Sequence, residues 1–465
     1  MKLISAVDRA IAAAVMLLVL GACGGGGGDA PSQTSSAPQP SSPSWGTAAR
    51  IFNGVDDAEN LHVVMDPLGN ALVVWDVPTS SGGSINVIRA RLYTPTGGWS
   101  AIELLSEPAG SWDARAPHAG FDAAGNAIVV WHQTDTSGGS GNSIIMARRY
   151  IGGVWDQPQE LSNNAAGDGV NPRVAVTSGG EAFVVWRQES GGTNDINALR
   201  CDTTSAVCDP VVVVDADAGN ASDHRIAVYH TGSANGLVAY AVWKQNDGTR
   251  NNIWANRYAS GAWGTAALVE SDDAGTASDP QIAVDRLGHA TMVWHQSDGT
   301  RNNIWAASYA SSGWTNPALV DTDDTAGAIN PQVAFGSPTD PFVVWQQGDG
   351  TRFNIWSKRS SSGLWFPNAS TIENDDAGGA ENPQLAATAA DTVFAVWQQS
   401  DGTRFDIWAN RYQDGLGWGT AERIELEDTG EAVSPRVAVD PSGNALAVWL
   451  QFDGGRYTVW ANTYR

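Results

Sequence analysis

The sequence predicts an all-β fold: a single eight-bladed β-propeller of four-stranded antiparallel blades. Three observations lead there. An apolar run ending in Val-Trp recurs at Trp75, Trp131, Trp186, Trp243, Trp294, Trp345, Trp397 and Trp449, spaced by 56, 55, 57, 51, 51, 52 and 52 residues. Each repeat contains several short β-rich runs separated by turn signals and no helical periodicity, which is the pattern of propeller blades. The chain also stops at Arg465 without a fourth strand in its last repeat, while an orphan strand precedes the first.

The unit is clearest in the fifth repeat. PQIAVD (280–285), ATMVWHQ (290–296), NIWAASY (303–309) and GWTNPALV (313–320) read as four strands. RLGH, and elsewhere PSGN or PLGN, joins the first two, with Gly-Asn pairs supplying positive φ for a tight hairpin. The last repeat has only PRVAVD, NALAVWLQ and YTVWANTYR. Its missing strand is predicted at the other end, where Trp45–Ile51 (WGTAARI) matches the fourth strand Trp418–Ile424 (WGTAERI). Pairing them closes the ring and removes the sheet edges that an open array would expose. An open solenoid would need polar capping repeats, and none is visible.

Ahead of the repeats, Lys2 and Arg9 flank a short basic start, followed by an apolar run from Ile11 to Leu20 and then Leu20-Gly21-Ala22-Cys23. The run is short for a bilayer span, which needs about 20 residues, and reads as a signal peptide. Leu-Gly-Ala-Cys resembles the lipobox of bacterial lipoproteins, which implies cleavage and acylation at Cys23 and a lipid anchor in the cell envelope. Gly24 in place of Asp leaves outer-membrane sorting open in that resemblance. Five glycines and a Ser/Pro/Gln-rich stretch follow, a composition that buries nothing and acts as a tether. The expected organisation is therefore residues 1–22 signal peptide, 23–44 tether and 45–465 propeller, the closed ring standing as a monomer.

With 26 basic and 50 acidic residues, the formal charge is −24, which argues against a nucleic-acid partner. Besides Cys23, only Cys201 and Cys208 remain; an oxidising compartment would join them as a hairpin disulfide, since no His or third Cys lies near for a metal.

Of the 21 tryptophans, all but Trp112 fall at repeated positions: Val-Trp on strand two, Ile-Trp on strand three, Gly-Trp on strand four. That is first a packing pattern, although outer Trp could stack on sugars. Trp112 reads as part of the loop between the first two blades. The residue after the strand-two Trp varies (Asp76, His132, Arg187, Lys244, His295, Gln346, Gln398, Leu450) and reads as solvated. The next is Gln in seven repeats and Val77 in the first, a repetition that favours structure.

Loops on one face are charged. The inter-blade loops carry Asp56-Asp57, Asp215 with Asp217, Asp272-Asp273, Asp323-Asp324, Asp375-Asp376 and Glu427-Asp428. The loops from strand two to three carry Asp247, Asp298, Asp349, Asp401 and Asp453, followed by Arg250, Arg301, Arg352, Arg404 and Arg456. The expected arrangement is a ring of exposed ion pairs from each Arg to a neighbouring acidic loop. Clustered carboxylates also suit Ca²⁺, and a Ca²⁺ site at the blade boundaries is the sharper alternative.

A turn such as SDGTRNNIW resembles the D-G-x-x-x-I-aromatic pattern of TolB-like and sialidase-like bacterial propellers, an architectural resemblance across residues 45–465. The sialidase box S-x-D-x-G-x-x-W is not matched in spacing, so sialidase chemistry is not implied. No nucleophile elbow, H-E-x-x-H motif or phosphate-binding Gly loop is present. The regular repeat points to a non-enzymatic binding or scaffold module for a protein or carbohydrate, using the charged face or channel mouth. A glycoside hydrolase or lyase drawing its acids from the loops is the alternative.

Overall fold

A computed structural model describes residues 43–465, apart from 55, 80–84, 108–111, 137–140, 163–166, 216–218, 234–235, 272–274, 311–312, 322–324, 338, 376 and 427–429. The segments expected to be the signal peptide and most of the tether, Cys23 included, lie outside the described residues. Residues 43–465 form one compact unit.

Eight antiparallel sheets follow one another along the chain, each ordered from its first strand outwards. In blade 5 the strands are Ala277–Val284, Ala290–Ser297 and Asn302–Ala310, with an outer strand in two pieces, Gly313–Trp314 and Ala318–Leu319. The sequence predicts one unbroken outer strand there. Thr315, Asn316 and Pro317 separate the two pieces, and the same break recurs without proline in blades 4 and 7, where Gly-Thr-Ala stands between them. In four of the hairpins between strands one and two, positive φ falls at the glycine alone (Gly69, Gly125, Gly288 and Gly443, φ 81–85°). An aspartate, not the following Asn, completes the turn: Asp66 Oδ1 accepts the N–H groups of Leu68 and Asn70, and Asp122, Asp285 and Asp440 repeat the arrangement.

The ring closes as the repeat register requires. Ala49 pairs with Ala461 and Arg50 with Trp460, and Trp45 bridges to Tyr464. Ser44 and Arg465 exchange backbone hydrogen bonds of 2.8 and 3.2 Å, and Ile51 N–H donates to Val459 O at 2.8 Å. Ile51 and Phe52 then enter a core shared by Trp75 of the first blade and Leu446, Val448 and Val459 of the last. Equivalent clusters fill the other blade boundaries.

Each strand-two Trp is completely buried. At about 25 cal/mol/Å² over about 150–250 Å², each contributes up to ~4–6 kcal/mol before chain entropy is subtracted. A buried indole N–H also needs an acceptor, and here the glutamine column acquires its meaning. From Trp131 to Trp449, seven indoles donate to the Oε1 of the Gln two residues on, at 2.7–3.1 Å. The amide's other end ties down the inter-blade loop: Gln188, Gln399 and Gln451 Nε2 donate to Gly167, Asp375 and Gly430 carbonyls at 2.8, 2.6 and 2.9 Å. Blade 1, with Val77, leaves Trp75 Nε1 without a partner among the described residues.

Trp112 is not a loop residue. It opens the first strand of blade 2 (Trp112–Phe121), pairs with Asp135 and packs half-buried against the blade 1–2 core. Cys201 and Cys208 form a disulfide in blade 3.

Gln399→Ala is expected to strand the Trp397 indole and a loop carbonyl together, lowering stability by about 1–3 kcal/mol. Denaturant unfolding of the variant against the parent, with blade 1 as the natural case lacking this bond, checks it.

Candidate functional site

The charged loops are built first by local hydrogen bonding. In the Asp-Gly-Thr-Arg turns, Asp247 Oδ1 accepts Thr249 N–H, Thr249 Oγ1–H and Arg250 N–H at 2.8, 2.6 and 3.0 Å, while Oδ2 accepts Asn252 Nδ2–H at 2.9 Å. Asp298 and Asp349 repeat all four contacts, and Asp401 repeats the three at Oδ1. Arg250, Arg301 and Arg352 use Nε locally, donating to Asn252, Asn303 and Asn354 Oδ1, and Arg404 donates to Asp406. In blade 8 the contact does cross to the adjoining segment, where Arg456 Nη2 donates to Asn53 Oδ1 at 3.1 Å.

Inter-blade acids brace the start of strand three. Asp57 accepts Tyr457 N–H at 2.6 Å, Asp113 accepts Asn86 N–H at 2.7 Å, and Asp168 accepts Ser143 N–H at 2.6 Å. Asp375 Oδ1 holds Ala377 N–H at 2.9 Å, Asp215 is buried, and Asp56 is half-buried. Asp217, Asp272, Asp273, Asp323, Asp324 and Asp376 lie outside the described residues. Among the described residues no group of three or more His, Cys, Asp or Glu side chains is arranged to hold a metal ion, Ca²⁺ included.

A second ring lies inside this one, and its residues were not singled out from the sequence. Every first strand breaks register once near its start, with a left-handed residue at the break: Asn60, Ala116, Asn171, Asp223, Asp279, Asn330, Asn382 and Ser434, φ 48–55°. In six blades the next residue is proline, which fits a bulge because it has no ladder donor to lose. The bulge re-aims the residue after that into the central channel. One side chain per blade therefore lines a single cavity of 420 Å³: His62, His118, Arg173, Arg225, Gln281, Gln332, Gln384 and Arg436.

The variable residue after the strand-two Trp supports this collar, contrary to its reading as solvated surface. Asp76 is fully buried and its Oδ2 accepts Asn60 Nδ2–H at 2.9 Å and Ala116 N–H at 2.8 Å. Gln346 Oε1 does the same for Asn330 and Asn382 at 2.8 and 3.0 Å. Lys244 and His295 face Asp223 and Asp279 at 2.6 and 3.4 Å. The position varies because it matches the bulge residues of its own and the next blade. Burial raises the Asp76 carboxyl to about 6 and lowers the His132 imidazole to about 4.

Collar electrostatics are one-sided. Arg173 and Arg436 each give one Nη1–H to the preceding carbonyl, at 3.3 and 2.9 Å; Arg225 gives Nη1–H to His224 O at 2.9 Å and Nε–H to Gln281 Oε1 at 3.2 Å. None of the three forms an ion pair among the described residues, and no carboxylate lines the cavity. Burial, then the other guanidinium groups, push Arg173 down to about 9; burial and Arg225 push Arg436 down to about 10. His62 and His118 stack with ring centres 3.7 Å apart. Each Nδ1 accepts a backbone N–H of the next blade at 3.3 Å, from Ala119 and Val174, so the ring proton sits on Nε2. Burial, reinforced by Arg436 and Arg173, lowers His62 to about 3, and His118 falls well below its ordinary value for similar reasons. Both rings are neutral N–H donors at neutral pH.

The chain is a β-propeller. No known protein family matches it, and no curated protein matches it in sequence. Its fold is similar to that of a polysaccharide lyase family PL25 ulvan lyase (11% identity, 82% of this chain and 98% of that one, TM-score 0.50). Other similar structures are a protein of unknown function from Dyadobacter fermentans (12%, 76% and 95%, 0.44) and an Aleuria aurantia lectin mutant in complex with a fucosyl-GlcNAc (13%, 67% and 96%, 0.37). At these identities the likeness is one of fold.

The turn aspartates carry a pH dependence of known sign. Hydrogen bonds, the Thr403 hydroxyl first, hold the Asp401 carboxyl down to about 2, and the same contacts keep Asp247, Asp298 and Asp349 below the usual carboxylate range. Their contribution is present above the unfolded value of about 3.9 and is lost as pH falls through the folded one. The fourfold Asp→Asn variant at these positions should therefore show a smaller loss of melting temperature between about pH 4 and 2 than the parent.

Proposed function

We propose that this protein is a lipid-tethered binding module of the bacterial cell envelope, sorted to the outer membrane, which takes a carbohydrate at the mouth of its central channel. Acylated Cys23 and the tether would hold it there. Ser44 joins the ring beside Arg465, at the opposite end of the last strand from the Asp453–Arg456 loop.

The collar carries this reading. Buried Trp and Gln repeat from blade to blade, whereas the eight channel positions change, presenting a polar cavity lined with amide, imidazole and guanidinium donors. Such a set suits a polyhydroxylated ligand, whose orientation is fixed by a few placed polar groups. The ulvan lyase with the same fold acts on a polysaccharide by its name.

An enzymatic reading that draws general acids from the loops fits less well. The turn aspartates each accept three or four hydrogen bonds and are held ionised, so they are poor proton donors near neutral pH.

Binding to an immobilised glycan panel, without release of shortened or unsaturated products, is the expected result. Gln332→Ala combined with Gln384→Ala should weaken the best hit at least tenfold while leaving the melting temperature within about 2 °C. Equal binding by the variant, or turnover of the glycan, would remove the proposal.

A further inference from the structure

We propose that the channel collar is an oxyanion receptor: Arg173, Arg225 and Arg436 together bind a carboxylate, sulfate or phosphate group, with His62 and His118 adding imidazole N–H donors. The proposal rests on the reading of the channel mouth as the ligand site and names the chemistry that the site selects.

Several observations converge on it. Three guanidinium groups line one cavity of 420 Å³ without a carboxylate in its wall. The acids nearest in charge effect on Arg225 are Asp223 and Asp279, and these already face Lys244 and His295 at 2.6 and 3.4 Å. Charges taken from water are ordinarily paired, so three together without a counter-charge define an anion site. The Arg173 and Arg436 contacts use only Nη1, which leaves Nε and Nη2 of each without a protein partner among the described residues.

The fold itself does not require arginine here. The same position is Gln281, Gln332 and Gln384 in blades 5, 6 and 7, a neutral side chain of similar reach on the same bulge. A chain of formal charge −24 nonetheless gathers three cations at its axis. The protonation of the histidines completes the set, because Nδ1 is an acceptor in both and Nε2–H is the donor left for a ligand.

The test uses native Gln as the substitute. Sulfate titrated into the purified protein at constant ionic strength, with chloride as the balancing salt, should bind at one site and raise the melting temperature. R173Q, R225Q and R436Q should each weaken sulfate binding at least tenfold, about 1.4 kcal/mol, and each should melt higher than the parent in sulfate-free buffer, since a repulsive charge has gone. Sulfate acting no differently from chloride would overturn the proposal, as would variants that melt lower yet bind sulfate as the parent does. Dextran sulfate and dextran separate the sources of the anion. Dextran sulfate bound and dextran refused, with the preference lost in R225Q, places the acid group on a carbohydrate. Inorganic sulfate bound with neither glycan keeps the receptor and removes the carbohydrate reading; dextran bound equally by parent and variants keeps the carbohydrate and removes the receptor.

Discussion

Antiparallel pairing between residues 44–52 and 457–465 is the constraint on which the rest of the molecule depends. Those backbone bonds supply blade 8 with its outer strand and seat Ile51 and Phe52 between the last blade and the first. Without them, one blade would present an unpaired edge and the first blade would lose part of its core. With them, the first strands of successive blades meet around one axis, including Glu59–Met65 against Ala432–Val439. A closed axis turns eight separate bulges into one collar, because each bulge delivers its side chain to the same cavity.

Charge is distributed in the same radial manner. Among the described residues, acids on one face go into turn and loop bracing, where Asp57, Asp168, Asp247, Asp298, Asp349 and Asp401 accept backbone and side-chain donors. Closer to the axis, residues following the buried Trp match the bulge side chains of two adjoining blades. At the axis, Arg173, Arg225 and Arg436 share one cavity. A solvated rim of acids and a recessed basic collar would reject most anions at long range and retain one that reaches the channel, a selectivity by position and not by net charge.

Much of the architecture was legible in the sequence. The Val-Trp column gave blade number and register, and the match between Trp45–Ile51 and Trp418–Ile424 gave the closure, because both follow from which residues must be buried. The Gln column was legible as structural, but its partner was not: the indole two residues back faces the same side of the strand, and only packing shows that no other acceptor reaches it. Trp112 was misplaced because the first strand of blade 2 begins before the apolar alternation does. His132 and His295 looked solvated because variability resembles exposure when the neighbouring blade is unknown. The collar escaped for a related reason. A bulge breaks the period-two alternation at the residue that matters, so the strand pattern does not mark His62, Arg173 and Gln281. Aligning the residue two places beyond the bulge position across all repeats, as in PRVAV and PQIAV, would have exposed a column of Arg, His and Gln. Cys23, whose lipidation is an expectation from the sequence, and the acid pairs at 272–273 and 323–324 lie outside the described residues.

The most direct examination of the central claim is a crystal structure grown in selenate, using the selenium anomalous signal. The account predicts a single strong peak on the ring axis, within hydrogen-bond reach of the Arg173, Arg225 and Arg436 guanidinium groups, inside a ring sealed by residues 44–52. An axis without a peak, with those guanidinium groups turned onto loop carboxylates, would contradict it.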